Sequence, residues 1–286
     1  MNKRIKKINF NHSFIFFLFC NVFSLIVFKF NSFIISPLIC LILILTIGVS
    51  HGSLDHIKGR KLLNILKFEN IIIFYLTYIF IAITIIILWI LIPAISLIIF
   101  LIIASFHFGK EDTQFLINEN SYFNQFLFFL KGSLIILSPM YFHFDETISI
   151  FKLLLVENEA FYSGLSFIEA NKILYIGIFL SSLSSLLLFV KDYELKKLII
   201  FFDYFSILIL NYCFSPLLAF TIYFCFLHSI RHSITLVFEL NKNNFNEGFK
   251  IFAFKAIPLT FTAIVLCIVS IYFLNNNYDF DSSILK

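Results

Sequence analysis

Long apolar segments separated by short polar stretches make up most of this chain. Several of them reach or exceed the roughly 20 residues that an α-helix needs to cross a bilayer. In order along the chain, the nine segments are 14–28, 33–50, 71–92, 94–108, 123–142, 173–190, 198–214, 216–238 and 251–274. The pattern therefore predicts a membrane protein built from spanning helices.

The predicted fold is all-α: a polytopic transmembrane helical bundle that forms a single integral membrane domain over residues 1–286. The nine segments predict nine helices. Eight helices are the alternative, because segment 94–108 is short. The amphipathic stretch 148–156 could lie along the membrane interface rather than cross the bilayer.

Composition and charge agree with this prediction. Of the 286 residues, 60% are hydrophobic and 13% are charged, whereas a soluble domain carries about 25% charged residues. Lys and Arg concentrate before the first segment and in alternate loops, and the loop after segment 123–142 is acidic. The positive-inside rule then places the N-terminus in the cytoplasm. With no eukaryotic targeting feature, we expect a multi-pass protein of the cell (inner) membrane. Beyond the loop charges, no basic patch indicates a nucleic-acid partner.

Three short motifs place histidines at or near the ends of apolar segments. They are HGSLDH (residues 51–56), FHFG (106–109) and HSIRH (228–232). Ionisable side chains at membrane depth are costly and commonly functional, and neutral imidazole is a ligand of iron, copper and zinc. On the predicted topology all three motifs lie toward the cytoplasmic side, so they could converge on one metal site. His12 and His143 fall elsewhere and are not assigned to it.

The spacing within the motifs selects candidate ligands. His228 and His232 are four residues apart, which places both rings on one helix face; an interhelical hydrogen-bonding pair is the alternative. His51 and Asp55 share a face if the second helix continues, so Asp55 could accept the other ring proton of His51. If the helix ends at Gly52, Asp55 and His56 could exchange these roles.

Each of the remaining candidate residues could act in the metal site or could have a purely structural role. His107 would add a third helix at the same depth, although a lone apolar-flanked histidine is commonly structural. Asp112 could support a ligand, or simply belong to a charged helix end with Lys110 and Glu111. Arg231 could pair with one of the nearby carboxylates or extend toward the headgroups. The candidate carboxylates for Arg231 are Asp55, Glu111 and Asp112.

The ordered set HGSLDH, FHFGKED and HSIRH resembles the Brp/Blh family of bacterial and archaeal membrane β-carotene 15,15′-dioxygenases. The resemblance covers most of the chain in helix pattern and motif order. Ser50 and Phe106 depart from it, since we would expect Pro and Trp before these two histidines. Neither is a ligand position, so the departures concern pocket shape.

This resemblance implies a non-haem Fe(II) dioxygenase that cleaves β-carotene with O₂ at its central double bond, giving two all-trans-retinal. The implied iron ligands in this sequence are His51, His107, His228 and His232. A lipid bilayer would supply the substrate, and a retinal-binding opsin is a candidate acceptor. Aromatic residues could hold the polyene in register, namely Phe106, Phe108, Tyr223, Phe224 and Phe226.

Three other classes of protein use histidines in membranes. A di-iron desaturase or hydroxylase also has histidine boxes. Two irons need about eight ligands, however, and the motifs supply five histidines and one or two carboxylates. A haem-binding cytochrome would use axial histidines on facing helices. A metal or proton transporter would need ionisable groups at several depths, and the outer halves of the predicted helices hold few.

Overall fold

The computed structural model describes residues 3–30, 36–68, 70–117, 121–154, 156, 158–191 and 193–275. Within these ranges all regular secondary structure is helical. The all-α fold that the apolar pattern predicts is therefore confirmed. That residues 1–286 form one domain stays a prediction.

The first half of the chain contains α-helices and one irregular helical connection. The α-helices are α1 (Lys3–Phe30), α2 (Pro37–Leu43), α3 (Asp55–Ile65), α4 (Ile71–Leu91), α5 (Pro93–Glu111), α6 (Tyr122–Gly132), α7 (Leu134–Phe142) and α8 (Phe144–Leu153). Between α2 and α3 the chain forms the first π-helix, Ile44–Gly48, and then a 3₁₀-helix, Val49–Leu54. A short 3₁₀ turn, Gln114–Leu116, follows α5.

The second half of the chain also combines α-helices with a π-helix and a 3₁₀ turn. Its α-helices are α9 (Glu159–Ala170), α10 (Ile173–Val190), α11 (Ile199–Cys213), α12 (Pro216–Ile222), α13 (Ile230–Leu240) and α14 (Phe245–Leu274). The second π-helix, Tyr223–Ser229, joins α12 to α13 without a break. A 3₁₀ turn, Leu195–Leu198, precedes α11.

Seven helical stretches in the described ranges are long and apolar enough to cross a membrane, by length and composition. They are Arg4–Val27, Ile71–Leu91, Pro93–Leu116, Tyr122–Phe142, Ile173–Val190, Pro216–Leu240 and Phe245–Leu274. The other two of the nine expected segments are shorter helices, Pro37–Gly48 and Ile199–Cys213. Segment four is longer than expected, because α5 has 19 residues. The chain is a polytopic helical membrane protein.

Helix α1 begins at Lys3, eleven residues before the expected start at residue 14. The apolar run alone underestimates the length of this helix, because the polar residues before the run belong to it as well. Asn9 and Ser13 are instead fully buried, on a helix that packs against α11 and α13. Burial of this polar face draws the N-terminal half of α1 into the bundle.

Helices α11 and α12 and the second π-helix form the centre of the bundle, while α4 and α14 lie at its periphery. Leu210, Ala219 and Leu227 have no exposed surface. Helix α4, by contrast, has no buried residue, although almost all of its side chains are apolar. A helix that is apolar on every face and exposed on every face fits a lipid environment. The polar site described below is correspondingly central.

Helices α5 and α6 approach each other closely through two glycines. A Cβ on Gly109 would collide with the Phe128 carbonyl, and a Cβ on Gly132 would collide with the Ser105 carbonyl. Close backbone contact through small residues is a common way for membrane helices to associate. This contact fixes the end of α5, which carries the FHFG motif.

Gly109→Ala is expected to destabilise the protein by about 1–3 kcal/mol or more, because the new methyl group forces α5 and α6 apart. The measurement is the apparent thermal unfolding temperature in detergent. Gly164→Ala is the matched control, since a Cβ there meets nothing within 4 Å and alanine favours a helix. Equal unfolding temperatures for the two variants would contradict the proposed close packing.

Candidate functional site

Two of the three histidine motifs meet at the ends of α5 and the second π-helix. The ring centroids of His107 and His228 are 5.4 Å apart, and those of His228 and His232 are 6.5 Å apart. His228 is 1% exposed, whereas His107 lies on the surface of the bundle beside it. Three predicted ligands are thus brought together from two separate stretches of the chain.

The backbone that carries the first motif, HGSLDH, passes close to the same histidines. Gly48, at the end of the first π-helix, packs directly against the ring of Phe224, and that ring stacks on His228 with 5.8 Å between centroids. Further along, Lys58 Nζ lies 3.3 Å from His232 Nε2. The segment between them therefore passes alongside both histidines. His51 lies in this segment, but its side chain is outside the described residues, so its part in the site stays a prediction.

The second π-helix aligns four rings along one helix face. In chain order they are Phe220, Phe224, His228 and His232, and consecutive rings are within 15° of parallel. A π-helix has more residues per turn than an α-helix, so side chains four apart come closer to register. Such wide turns are frequent at functional sites.

Consecutive carboxylates at the end of α5 hold the two histidines of HSIRH. Asp112 Oδ1 lies 3.0 Å from His228 Nδ1, and Glu111 Oε2 lies 3.2 Å from His232 Nδ1. Since a carboxylate only accepts hydrogen bonds, both rings carry their proton on Nδ1. Each Nε2 then presents a lone pair, which is the form in which imidazole binds a metal.

The surroundings of each pair reinforce this assignment. Tyr223 Oη donates to the other oxygen of Asp112 at 2.6 Å, which orients the carboxylate toward His228. The Lys58 ammonium donates to His232 Nε2, so that nitrogen accepts from a cation already. A ligating histidine that donates its other N–H to a carboxylate is typical of protein metal sites.

Arg231 pairs with a residue that sequence reasoning missed. Its guanidinium donates two hydrogen bonds to the carboxylate of Asp203 on α11, at 2.8 and 2.9 Å. It also donates to the carbonyl oxygen of Asp112 and to Ser13 Oγ. Arg231 therefore lies inside the bundle and does not reach the headgroups. The signal that could have found Asp203 is that it is the only charged residue in the apolar segment 198–214, since an ionisable side chain at membrane depth is commonly functional.

His12 also belongs to the neighbourhood of the site. Its Nε2 donates to the carbonyl oxygen of Phe226 at 2.8 Å, two residues before His228. Assigning His12 elsewhere was wrong, because α1 continues through it as a helix packed on the bundle. His143 does lie apart, with its ring 3.8 Å from Glu146 at the start of α8.

Asp55 and His56 form the first turn of α3, which begins anew after the 3₁₀-helix. The second predicted helix thus does not continue regularly from His51 to Asp55. Among the described side chains, neither residue makes a hydrogen bond or ion pair with His107, His228 or His232. In the part of the chain that the structure describes, Asp112 and Glu111 provide the carboxylates that support histidines.

Aromatic side chains surround His228. The Phe108 ring meets it edge-on at 4.8 Å and also contacts Phe220, Tyr223 and Phe224. Phe106 instead packs under Lys110, away from this group. Of the aromatic residues expected to hold a substrate, Phe108, Tyr223 and Phe224 therefore lie beside the histidines.

The described side chains do not by themselves complete a metal site. Among them, no group of three or more His, Cys, Asp or Glu residues could hold a metal ion, and the side chain of His51 is not among them. The chemistry of the donors nevertheless fits a metal, because a carboxylate occupies Nδ1 of both His228 and His232 and leaves Nε2 as the nitrogen that can bind a metal.

Together, the long apolar helices and the buried histidine–carboxylate cluster define a polytopic membrane protein with one polar site at its centre. A family model described as Beta-carotene 15,15′-dioxygenase matches residues 8–286. The chain belongs to this family, as its motifs predict, and it is a carotenoid-cleaving dioxygenase. No curated protein and no solved structure matches the chain.

Proposed function

We propose that the protein binds one Fe(II) through His51, His107, His228 and His232, and uses O₂ to cleave β-carotene at its central 15,15′ double bond into two all-trans-retinal. The observation that carries this proposal is the pair of carboxylate–histidine contacts, Asp112 with His228 and Glu111 with His232. When bound, the iron would supply the activation of O₂.

The chain's own residues would orient the ligands and keep the site dry. Asp112 and Glu111 hold the Nδ1 protons, so the two Nε2 lone pairs keep fixed directions. Four neutral imidazoles would leave the iron's charge uncompensated and coordination positions open for O₂. The tight packing of Phe108 on His228 excludes water from one side of this ring.

The substrate would enter sideways from the bilayer. β-Carotene is a long hydrocarbon that dissolves in lipid, and His107 lies on the surface of α5 within the stretch Pro93–Leu116 that can cross the membrane. The half-buried rings of Phe220 and Phe224 continue the row of His228 and His232 toward the start of α12. One arm of the polyene would lie along these rings, which would bring the central bond to the metal.

Expression in a β-carotene-producing bacterium tests the proposal. Loss of orange colour with formation of retinal, and one iron per purified chain, are expected. Shorter apocarotenals as the only products would contradict the central-bond assignment, and two irons per chain would indicate di-iron chemistry instead. Each of the four histidines is then changed to alanine in turn, and an active His107→Ala variant would remove that residue from the ligand set.

Phe220→Ala is expected to loosen the register of the polyene without removing a ligand. Retinal formation should fall about tenfold or more, since small displacements of a reacting bond are costly, and products of cleavage at other bonds should appear. Chromatography of the products and iron content per chain are the measurements. Phe254→Ala, at a position on α14 that is 81% exposed, is the control and should keep the normal product. An unchanged product pattern for Phe220→Ala would contradict the assigned path.

A further inference from the structure

A buried ion pair lies next to the histidine cluster but does not touch the histidines. Arg231 and Asp203 are 2% and 1% exposed, and the two hydrogen bonds between them have the fork geometry that suits a guanidinium and a carboxylate. A buried guanidinium needs such a partner, because removal of one member of a buried pair leaves an uncompensated charge.

The same guanidinium also reaches the turn that carries Asp112. Arg231 Nη1 donates to the carbonyl oxygen of Asp112 at 3.0 Å, and it lies 3.7 Å from Oδ1 of the same residue. That Oδ1 is the oxygen that accepts from His228 Nδ1 at 3.0 Å. Arg231 and His228 thus compete for one carboxylate oxygen, and the present distances favour His228.

Asp203 decides this competition. It accepts from both terminal nitrogens of Arg231, so the guanidinium does not depend on Asp112 for its counter-charge. Loss of the negative charge on Asp203 leaves the Arg231 guanidinium with Asp112 as its nearest remaining carboxylate.

We propose that Asp203 is a positioning residue for His228: by holding Arg231, it keeps the carboxylate of Asp112 on His228 Nδ1 and so keeps Nε2 available to a metal. In Asp203→Asn, Asp112 turns toward Arg231 and the His228 ring loses its fixed tautomer and orientation. The metal part of this inference rests on the proposed iron-dependent function; the tautomer part does not.

The first test measures the affinity of the purified full-length protein for Fe(II), under anaerobic conditions and in competition with a chelator. Asp203→Asn is expected to weaken binding about 10–100-fold, as loss of a group that orients a ligand does. Ser206→Ala, a buried polar position on the same helix, should bind Fe(II) as the wild type does. Wild-type affinity in Asp203→Asn would overturn the proposal.

A double-mutant cycle tests whether Asp203 affects Fe(II) binding through Asp112. If Asp203 acts through Asp112, Asp203→Asn should weaken Fe(II) binding little further in an Asp112→Asn background, because the contact it protects is already lost. An equal effect in both backgrounds would show that Asp203 acts by another route. Should Asp203→Asn fail to fold, Asp203→Glu, which keeps the charge, should restore folding and affinity; failure of the rescue would likewise overturn the proposal.

Nitrogen NMR of ¹⁵N-histidine-labelled protein without metal reads the tautomer directly. The His228 signal, assigned by its loss in His228→Gln, is expected as the Nδ1–H form in the wild type and as a mixture in Asp203→Asn. An unchanged tautomer would contradict the inference. If the wild type shows this tautomer but binds no Fe(II), the iron-dependent function fails while the role of Asp203 stands.

Discussion

His228→Ala is expected to abolish retinal formation and to lower iron content to background. The ring is buried, donates from Nδ1 to the Asp112 carboxylate, and lies between Phe108, Phe224 and His107. Its loss would remove a proposed ligand and would also leave the Asp112 oxygen free to turn to Arg231. We expect Fe(II) affinity to fall more than about 100-fold, beyond the loss caused by groups that only orient a ligand.

The matched control is His143→Ala, because His143 lies at the start of α8 and contacts Glu146. Both variants should be purified in the same detergent and compared by size-exclusion profile, iron per chain and retinal yield. A folded His228→Ala protein that retains iron and produces retinal would remove His228 from the ligand set. The tautomer that Asp112 sets at His228 would then have no role in metal binding.

Asp112→Asn is expected to have the second-largest effect, on both the metal and the fold. Asparagine keeps the shape of the side chain but removes its charge, so its hold on the His228 Nδ1 proton weakens. Fe(II) affinity should fall about 10–100-fold. The charge of Asp112 is buried, and Tyr223, His228 and Arg231 all lie against its carboxylate, so stability should fall by about 3 kcal/mol or more. Metal titration and thermal unfolding measure the two effects.

Glu111→Gln provides the comparison for Asp112→Asn. Glu111 plays the corresponding part for His232, but its side chain is 25% exposed, against 4% for Asp112. Water can therefore compensate part of the lost charge, and we expect a smaller loss of affinity with little loss of stability. Equal losses for the two variants would contradict the view that burial sets the importance of Asp112.

The sequence was sufficient for the helices and for the position of two motifs, because both depend on local pattern. Long apolar runs specify spanning helices wherever they occur. The i, i+4 spacing of His228 and His232 places both on one face in any regular helix, and the wide turn only improves their alignment. The resemblance in motif order was likewise enough to identify the family.

What the sequence did not predict depends on contacts between distant residues. Asp203 lies in an apolar segment 28 residues before its partner Arg231, and only the tertiary structure shows that the two side chains meet. His12 was not assigned to the site, because its place beside Phe226 depends on the packing of the polar start of α1 in the bundle. The π-helices were also missed, since a wide turn is stabilised by tertiary packing and has no plain compositional signature.

Because of the second π-helix, the number of residues from Tyr223 to Ser229 determines how the aromatic rings and the histidines line up. Deleting one residue there would allow an ordinary α-helix to form and would leave two neighbouring rings of the row three residues apart instead of four. Phe220 and Phe224 would then swing away from the row that ends in His228 and His232. An in-frame deletion of a single codon in this stretch, even of an inert side chain, would be as damaging as the loss of a histidine.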